Sequence, residues 1–287
     1  MNSTLKNILK FVGALLLLAT VWIGFEAYRR IGPAMGWVDP VVDTVPPELP
    51  SDLAEGAVKV LLFSKTSGFR HEEAIPAARA SLERLARKNG WAVFETENAA
   101  VFNDEQLDRF DVVFGNNITG DNWTDDQKQA FLRWIENGGG FVGVHGAAGT
   151  RYRYWDWYTD VLLGGGRFTG HPMMPQFREA TVVVEDGDHP IMAHFKDSFS
   201  QTDEWYSFEE SARASGSHVL ATLDESSYDP ERELQMGRDH PIIWVACPGL
   251  GRSFYSALGH RANTYVWSEH EKMLEAAIEW AADDTCP

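Results

Sequence analysis

The sequence has little cysteine and little positive charge, and each shortage excludes a class of protein. Its 287 residues include two cysteines, Cys247 and Cys286, too few for a disulfide-rich scaffold or a cysteine-based zinc site. Lys and Arg number 25 against 42 Asp and Glu, so the net charge is −17. Because nucleic-acid binding needs a basic surface facing the phosphates, we expect no nucleic-acid partner.

The sequence also lacks internal repeats and low-complexity arrays. Hydrophobic residues make up 44% of the chain and charged residues 23%, which provides enough apolar surface to exclude disorder over most of the length. Aromatic residues are plentiful, with 11 Trp and 16 Phe. A large packed core is the simpler explanation for them, and an aromatic-lined cleft is the alternative.

Residues 1–30 are predicted to form an N-terminal transmembrane helix that anchors the protein in a membrane. No residue between Phe11 and Phe25 is charged, and with Lys10 and Glu26 at its ends the run approaches the roughly 20 residues that cross a bilayer. A cleaved signal peptide is the alternative, but no A-x-A cleavage site follows the run. The flanking charges are nearly tied, and we expect the short tail inside the cell and the domain outside the cytoplasm.

Residues 31–56 are predicted to be a proline-rich linker. The prolines of this segment are Pro33, Pro40, Pro46, Pro47 and Pro50. Such stretches form semi-rigid spacers, so the segment would hold the following domain away from the membrane. The alternative is that part of it packs on the domain surface.

From Ala57 onward, strand and helix signals alternate. Strands are predicted at Val58–Phe63, Trp91–Glu95, Asp111–Phe114 and Phe141–His145, with helices between them. One of these helices begins after Thr124, which forms a capping box pattern with Gln127. The alternation implies parallel strands joined by right-handed crossovers, with helices on both faces. We therefore predict that residues 57–284 form a three-layer, doubly wound α/β domain with a mostly parallel sheet.

Parallel sheets place their chemistry at the carboxyl ends of the strands, and this rule selects several polar residues. Arg70 and His71 follow the first predicted strand, and Asn116 follows the third. His145 ends the fourth strand inside Gly-Val-His-Gly, a pattern typical of a sharp strand-to-helix elbow. Glutamine amidotransferases need a Cys at such an elbow, and Cys247 lies in an apolar run that predicts burial. A glutaminase is therefore not expected, while a merely structural His145 stays open.

Two adjacent carboxylates, Asp203 and Glu204, are followed by the aromatic residues Trp205 and Tyr206. Neighbouring side chains on a strand point to opposite faces, so we expect one acid to enter a site while the other caps or pairs. An acid beside aromatic faces is common in carbohydrate sites. A solvated sheet edge beside a half-buried aromatic cluster is the alternative.

Four histidines lie in or beside predicted turns: His145, His171, His240 and His260. With the Asp-Glu pair they could form a nitrogen and oxygen site for a divalent metal. The helical spacings H-x-x-x-H and H-E-x-x-H are missing, however. The sequence therefore leaves the metal and any other cofactor open.

Several motifs along residues 58–282, taken in order, resemble the trehalose-utilisation (ThuA-like) family. They are Lys65–His71, Gly138–His145, Trp155–Tyr158, Phe168, His171-Pro172, Asp203–Phe208, Leu223–Glu225, Asp239–Pro241 and Gly251–His260. The resemblance implies a class I glutamine amidotransferase-like, or flavodoxin-like, fold. It also implies a role in disaccharide breakdown, acting on keto-sugars that a partner sugar dehydrogenase supplies. Two features depart from the family pattern: the N-terminal anchor is additional, and Gly149 stands where members often carry Asp.

This resemblance and the site residues together predict acid-base chemistry on a keto-glycoside. A carbonyl acidifies its neighbouring C–H, so His145 or His260 would be the base, with Asp203 or Glu204 as its orienting partner or as the general acid. The residues expected to bind the carbohydrate are Arg70, His71, Asn116, His171, Trp205, Tyr206 and His240. The protein would then be a hydrolase or lyase. A membrane-tethered carbohydrate-binding module without catalysis is the alternative.

Overall fold

Helix α1 (Ser3–Ile31) is the first element of the computed structural model, which describes residues 2–32, 35, 37, 40–150, 155–283 and 286. The Asn2 side chain caps this helix by accepting a hydrogen bond from the backbone N–H of Thr4. The stretch Ser3–Tyr28 is long and apolar enough to cross a membrane, and the rest of the chain does not cover it. A signal sequence has the same length and composition, so the helix is a membrane-span candidate.

The segment of residues 40–50, which we call the strap, packs on the domain. Its Asp43 carboxylate accepts hydrogen bonds from the Lys65 ammonium and, at 2.9 Å, from the backbone N–H of Ala99. The Gln127 side chain donates to the Asp43 carbonyl at 2.7 Å. After the strap, Leu53 is buried in the core. Part of the predicted linker thus packs on the domain surface, while Pro33 lies outside the described residues.

A nine-stranded sheet forms the centre of the domain. Its strands are β1 (Lys59–Phe63), β2 (Ala92–Thr96), β3 (Val112–Asn116), β4 (Gly140–Val144), β6 (Arg178–Val184), β7 (Ser198–Asp203), β9 (His218–Asp224), β10 (Pro241–Ala246) and β11 (Arg252–Ser256). The short strands β5 (Phe168–Gly170) and β8 (Ser207–Phe208) pair separately with each other.

The nine strands lie in the order β2-β1-β3-β4-β11-β10-β9-β6-β7. From β2 to β11 neighbours are parallel, and from β11 to β7 they are antiparallel. Only β10 and β6 run against the other strands, so the sheet is mostly parallel in direction. Among the antiparallel neighbours, β10 and β11 are joined by the short connection of residues 247–251, which is too short for the crossover that parallel neighbours need.

Four α-helices follow α1 in the described part of the chain: α2 (Ala74–Asn89), α3 (Asp104–Leu107), α4 (Asp125–Glu136) and α5 (Ser268–Ala282). A side chain at Gly140 would collide with Ala281 of α5, whereas the ring of Phe141 packs on Phe131 of α4 with centroids 6.1 Å apart. Because neighbouring residues of a strand point to opposite faces, α5 and α4 cover opposite faces of β4.

The predicted strands of the first half of the domain agree with β1 to β4, with ends shifted by one or two residues. The predicted capping box is present, since Thr124 and Gln127 exchange side-chain and backbone hydrogen bonds at the start of α4.

The expected burial of Cys247 is wrong. Strand β10 ends at Ala246, so Cys247 lies just outside the apolar run that suggested burial, and it is exposed. It forms a disulfide with Cys286, which ties the C-terminal end of the chain to the sheet.

Candidate active site

Four side chains from distant parts of the chain converge near the carboxyl ends of the strands: His71, His145, Glu204 and His260. We call them the histidine–glutamate cluster. One ligand atom of each residue can be chosen so that all four lie within 4.8 Å of one another. Since β1, β4 and β11 point the same way, the loops that follow them, which carry the three histidines, meet at one edge of the sheet.

His145 occupies the elbow that the sequence predicts after β4. Its φ of 41° lies in the left-handed region, which costs a residue other than glycine about 1–3 kcal/mol and is common at functional sites. The next residue must be small, because a Cβ at Gly146 would lie 3.0 Å from the carbonyl oxygen of Asn117. The Tyr255 hydroxyl donates to the His145 carbonyl at 2.9 Å and holds the strained backbone.

A backbone carbonyl determines which ring nitrogen of His145 carries a proton. His145 Nδ1 lies 2.7 Å from the carbonyl oxygen of Ala257, which can only accept, so Nδ1 carries a proton. His145 Nε2 therefore faces the cluster, 3.2 Å from Glu204 Oε2 and 3.2 Å from His260 Nδ1. His260 Nδ1 in turn lies 2.9 Å from Glu204 Oε2. Two nitrogens and one oxygen thus form a nearly regular triangle.

The charges in this triangle are set by burial and pairing. Burial alone would raise the pKa of the Glu204 carboxyl, but hydrogen bonds from His145 and His260 hold it well below its usual range. Burial alone would lower the pKa of His145, but the hydrogen bond and charge of Glu204 outweigh burial and raise it. Glu204 is therefore held as a carboxylate, and its charge favours the protonated form of the His145 imidazole.

His71 is the unsatisfied member of the cluster. It is 3% exposed, and neither ring nitrogen has a hydrogen-bond partner among the residues that the structure describes. Its ring centroid lies 4.8 Å from that of His145 and 4.7 Å from that of His260. Burial, together with these two neighbouring imidazoles, holds the pKa of His71 well below its usual range, so its lone pair is available. An unpaired buried polar group costs about 1–3 kcal/mol, so His71 is a candidate ligand residue.

The side chains of Asp203 and Glu204 point in different directions, as the alternation of side chains along a strand predicts. Asp203 is fully buried and accepts hydrogen bonds from the backbone N–H groups of Gly259, at 2.9 Å, and His260, at 3.2 Å. It also accepts the hydroxyl of Thr264 at 3.3 Å. Asp203 thereby fixes the loop that carries His260, and Glu204 faces the cluster.

A cavity of about 460 Å³ opens beside the cluster, within the size range of small-ligand sites. Its walls include His71, Glu204, His171 and Tyr206. His171 Nδ1 lies 3.0 Å from Glu204 Oε1 and 3.0 Å from the carbonyl oxygen of Pro172. Both neighbours are acceptors, so His171 Nδ1 carries a proton and His171 Nε2 keeps a lone pair.

Two predicted binding residues, Trp205 and His240, lie in the protein interior and do not line this cavity. The Trp205 indole is fully buried and donates to the Arg178 carbonyl at 2.7 Å. His240 is held between the Glu225 carboxylate and the Tyr206 carbonyl, each at 2.9 Å. Both residues therefore hold neighbouring chain segments together.

Arg70 and Asn116 are also placed away from the cavity walls. Arg70 points along the outer surface, where it pairs with Glu97 at 2.8 Å. Asn116 is fully buried and donates to the carbonyl oxygen of Ile75 at 3.0 Å. The carboxyl-end rule locates both residues at the correct edge of the sheet but does not give the direction of their side chains.

Several cavity residues were not among the predicted binding residues: Phe69, Phe168, Met173 and Gln176. Phe69 and Phe168 lie in motifs of the family resemblance, which was the available signal. Gln176 donates to Glu204 Oε1 from a loop with no recognisable pattern, so only the tertiary structure reveals it.

Comparisons with known proteins agree with this architecture. The model of the ThuA family, described as trehalose utilisation, matches residues 59–281. A ThuA-like protein from Bacteroides uniformis has a similar structure, with a TM-score of 0.67 and 24% identity over 83% of this chain and 95% of that chain. A second ThuA-like protein, from Parabacteroides merdae, gives a TM-score of 0.57 and 16% identity over 79% of this chain and 91% of that chain. No curated protein matches the sequence. At these identities the solved structures establish the fold.

Proposed function

This chain belongs to the ThuA family of trehalose utilisation, and we propose that it is a metal-dependent enzyme that cleaves keto-glycosides. The observation that carries the proposal is the unpartnered, buried His71 beside the triangle of His145, His260 and Glu204, at the wall of a cavity.

The donor set of the cluster suits a divalent metal. Imidazole nitrogens with one carboxylate oxygen are ligands that zinc and its first-row neighbours accept. His145, His260 and Glu204 would hold the ion, and His71 would complete the set. Such an ion would supply positive charge beside a substrate oxygen and stabilise the negative charge that develops there.

The base that removes the proton is His171 in this proposal. The sequence suggests His145 or His260, but the ring nitrogens of both that face Glu204, Nε2 of His145 and Nδ1 of His260, would be used as ligands. His171 lines the cavity and is oriented by Glu204 through Nδ1, which leaves Nε2 to accept a proton. Because the pKa of Glu204 is held low, this carboxylate orients His171 and does not act as the general acid.

The reaction is an elimination from a glycoside whose ring carries a carbonyl two carbons from the glycosidic carbon. His171 removes the proton from the carbon between them, and the electron pair of that C–H bond forms the new C=C bond. The bond between the glycosidic carbon and the glycosidic oxygen breaks, and this oxygen leaves with its electron pair and takes up a proton from water. His171 Nε2 then releases the proton that it removed to the solvent. The aromatic rings of Phe168 and Tyr206 in the cavity wall suit the apolar faces of a sugar.

The substrate chemistry also defines a partner and a compartment. A keto-glycoside arises by oxidation of a sugar hydroxyl, so a partner sugar dehydrogenase would supply it. The disulfide between Cys247 and Cys286 supports a domain outside the cytoplasm, since disulfides persist in oxidising compartments. With α1 as an anchor, the domain would work at the outer surface of the membrane.

Metal analysis combined with turnover tests the proposal. We expect the purified full chain to hold a divalent metal, to release the aglycone from a 3-keto-glucoside, and to lose this activity with EDTA until metal is restored. His171→Ala should keep the metal and lose turnover, whereas His145→Ala should lose both. A wild-type chain that binds the sugar but holds no metal and releases no aglycone would support the binding-module alternative.

A further inference from the structure

The outer part of the cavity wall is apolar and exposed, in contrast to the polar cluster at its inner end. Met35, Phe69 and Met173 line the cavity and are 38%, 52% and 64% exposed. Met174, beside this rim, is also exposed. A sugar alone does not need such a rim, since its hydroxyls are better matched by polar groups. We call Met35, Phe69, Met173 and Met174 the apolar rim.

The apolar rim lies close to the membrane-span candidate along the chain. Met35 follows Gly32, the residue that caps α1, by three positions. Three residues span at most about 11 Å when fully extended. The polar layer of each leaflet is about 5–7 Å thick, so the cavity mouth lies at or near the headgroups when α1 crosses the bilayer.

The strap holds the same edge of the domain toward α1. Asp43 is bound by Lys65, which follows β1, and by the backbone of Ala99, which follows β2. Both attachment points therefore lie at the carboxyl ends of the strands, where the histidine–glutamate cluster also lies. Gln127 adds a third hydrogen bond, to the Asp43 carbonyl at 2.7 Å. The strap thus ties the chain that follows α1 to the cavity edge of the domain.

We infer that the substrate is a glycoside with a hydrocarbon aglycone, a glycolipid whose sugar enters the cavity while its tail rests on the apolar rim and in the bilayer. The inference deepens the proposed function and rests on it for the reaction. The position of the rim at the membrane rests only on α1, the strap and the exposed side chains. A soluble disaccharide would gain nothing from a mouth in this position.

Fluorescence quenching tests the position of the cavity mouth. The described cysteines are joined to each other, so a fluorophore can be attached at Met173→Cys in the full chain reconstituted in phosphatidylcholine nanodiscs. Lipids with a spin label near the headgroup should quench this probe strongly. Glu136→Cys is the matched control, because Glu136 is exposed at the end of α4, at the opposite edge of the sheet, and should be quenched little. Equal quenching at both positions, or failure of the chain to remain with the nanodiscs, would overturn the inference.

Affinity for two probes tests the substrate class separately from the reaction. Octyl 3-keto-glucoside should bind at least about tenfold tighter than methyl 3-keto-glucoside, because its chain buries apolar surface on the rim. Met173→Ser should reduce this ratio. Leu250→Ser, at an exposed apolar position outside the cavity, should preserve it. Equal affinities with turnover of both probes overturn the substrate class while the proposed reaction stands. Tighter octyl binding without turnover of either probe supports the substrate class and refutes the reaction.

Discussion

Two histidine–glutamate arrangements in this domain differ in whether the protein itself pairs all of their side-chain polar atoms. At His240, one ring nitrogen meets Glu225 and the other meets the Tyr206 carbonyl, each at 2.9 Å. Glu225 also accepts the backbone N–H groups of Met236, at 2.6 Å, and Gly237, at 3.0 Å. Every polar atom of His240 thus has a partner within the protein.

In the histidine–glutamate cluster, by contrast, several ring nitrogens have too few hydrogen-bond partners. Both nitrogens of His71 lack partners among the described residues, and the ligand atoms of His145 and His260 compete for one carboxylate oxygen of Glu204. Since buried polar groups are almost always hydrogen-bonded, a shortage of partners beside a cavity indicates a ligand site, and full satisfaction indicates a structural clamp. The following predictions test this distinction.

The largest effect is expected from Glu204→Gln. The variant keeps the shape of the side chain but removes the charge that orients His171 and binds the ion, so turnover should fall by at least about 10³-fold and metal content should be lost. Steady-state kinetics and elemental analysis measure both. Glu225→Gln is the matched control and should keep its metal. A Glu204→Gln variant that keeps metal and activity would place the catalytic site elsewhere.

His240→Leu should destabilise the protein without changing its metal content. The substitution leaves the Glu225 carboxylate and the Tyr206 carbonyl short of a donor, which should cost about 2–4 kcal/mol in the free energy of unfolding. Urea denaturation of the metal-free protein measures the loss. Unchanged stability, or a loss of bound metal in folded protein, would contradict the structural role of His240.

His71→Leu should stabilise the metal-free protein and weaken metal binding. Leucine fills a similar volume and removes two unpaired buried nitrogens, so the metal-free protein should gain about 1–2 kcal/mol of stability. The rise in melting temperature on adding metal should shrink in the same variant, because one ligand is gone. A less stable metal-free variant would show that His71 has a structural partner.

The smallest effect concerns His270, a buried histidine that has no hydrogen-bond partner among the described residues and does not line the cavity. Burial lowers its pKa to about 3 from an ordinary value of 6.5. Between these two pKa values, His270 binds a proton in the unfolded chain but not in the folded chain. The free energy of unfolding is therefore highest well above pH 6.5 and decreases as the pH falls toward 3. Between pH 6.5 and 5.5 the loss should be about 1 kcal/mol. Urea denaturation of the metal-free protein at both pH values, with His270→Phe as the comparison, measures it. An equal pH dependence in the variant would assign the proton uptake to other groups.

Much of the fold could be predicted because its signals are local. The strands β1 to β4 come from short apolar runs, and the start of α4 comes from Thr124 and Gln127, three positions apart. The elbow at His145 is recognisable from the small residues around it. The carboxyl-end rule then locates the site at one edge of the sheet, because strand direction alone determines where those ends meet.

The family, the apolar N-terminal helix, the parallel half of the sheet and the opposite facing of Asp203 and Glu204 can be predicted from the sequence, since each depends on neighbouring residues or on motifs in order. The folded chain is needed to see that Glu204, and not Asp203, meets His145 and His260, which lie 59 and 56 positions away, and that His240 does not join them. It is also needed to see that the strap packs beside Lys65. These outcomes depend on which polar atoms remain unpaired after the core has formed, and pairing between distant residues exists only once the chain is folded.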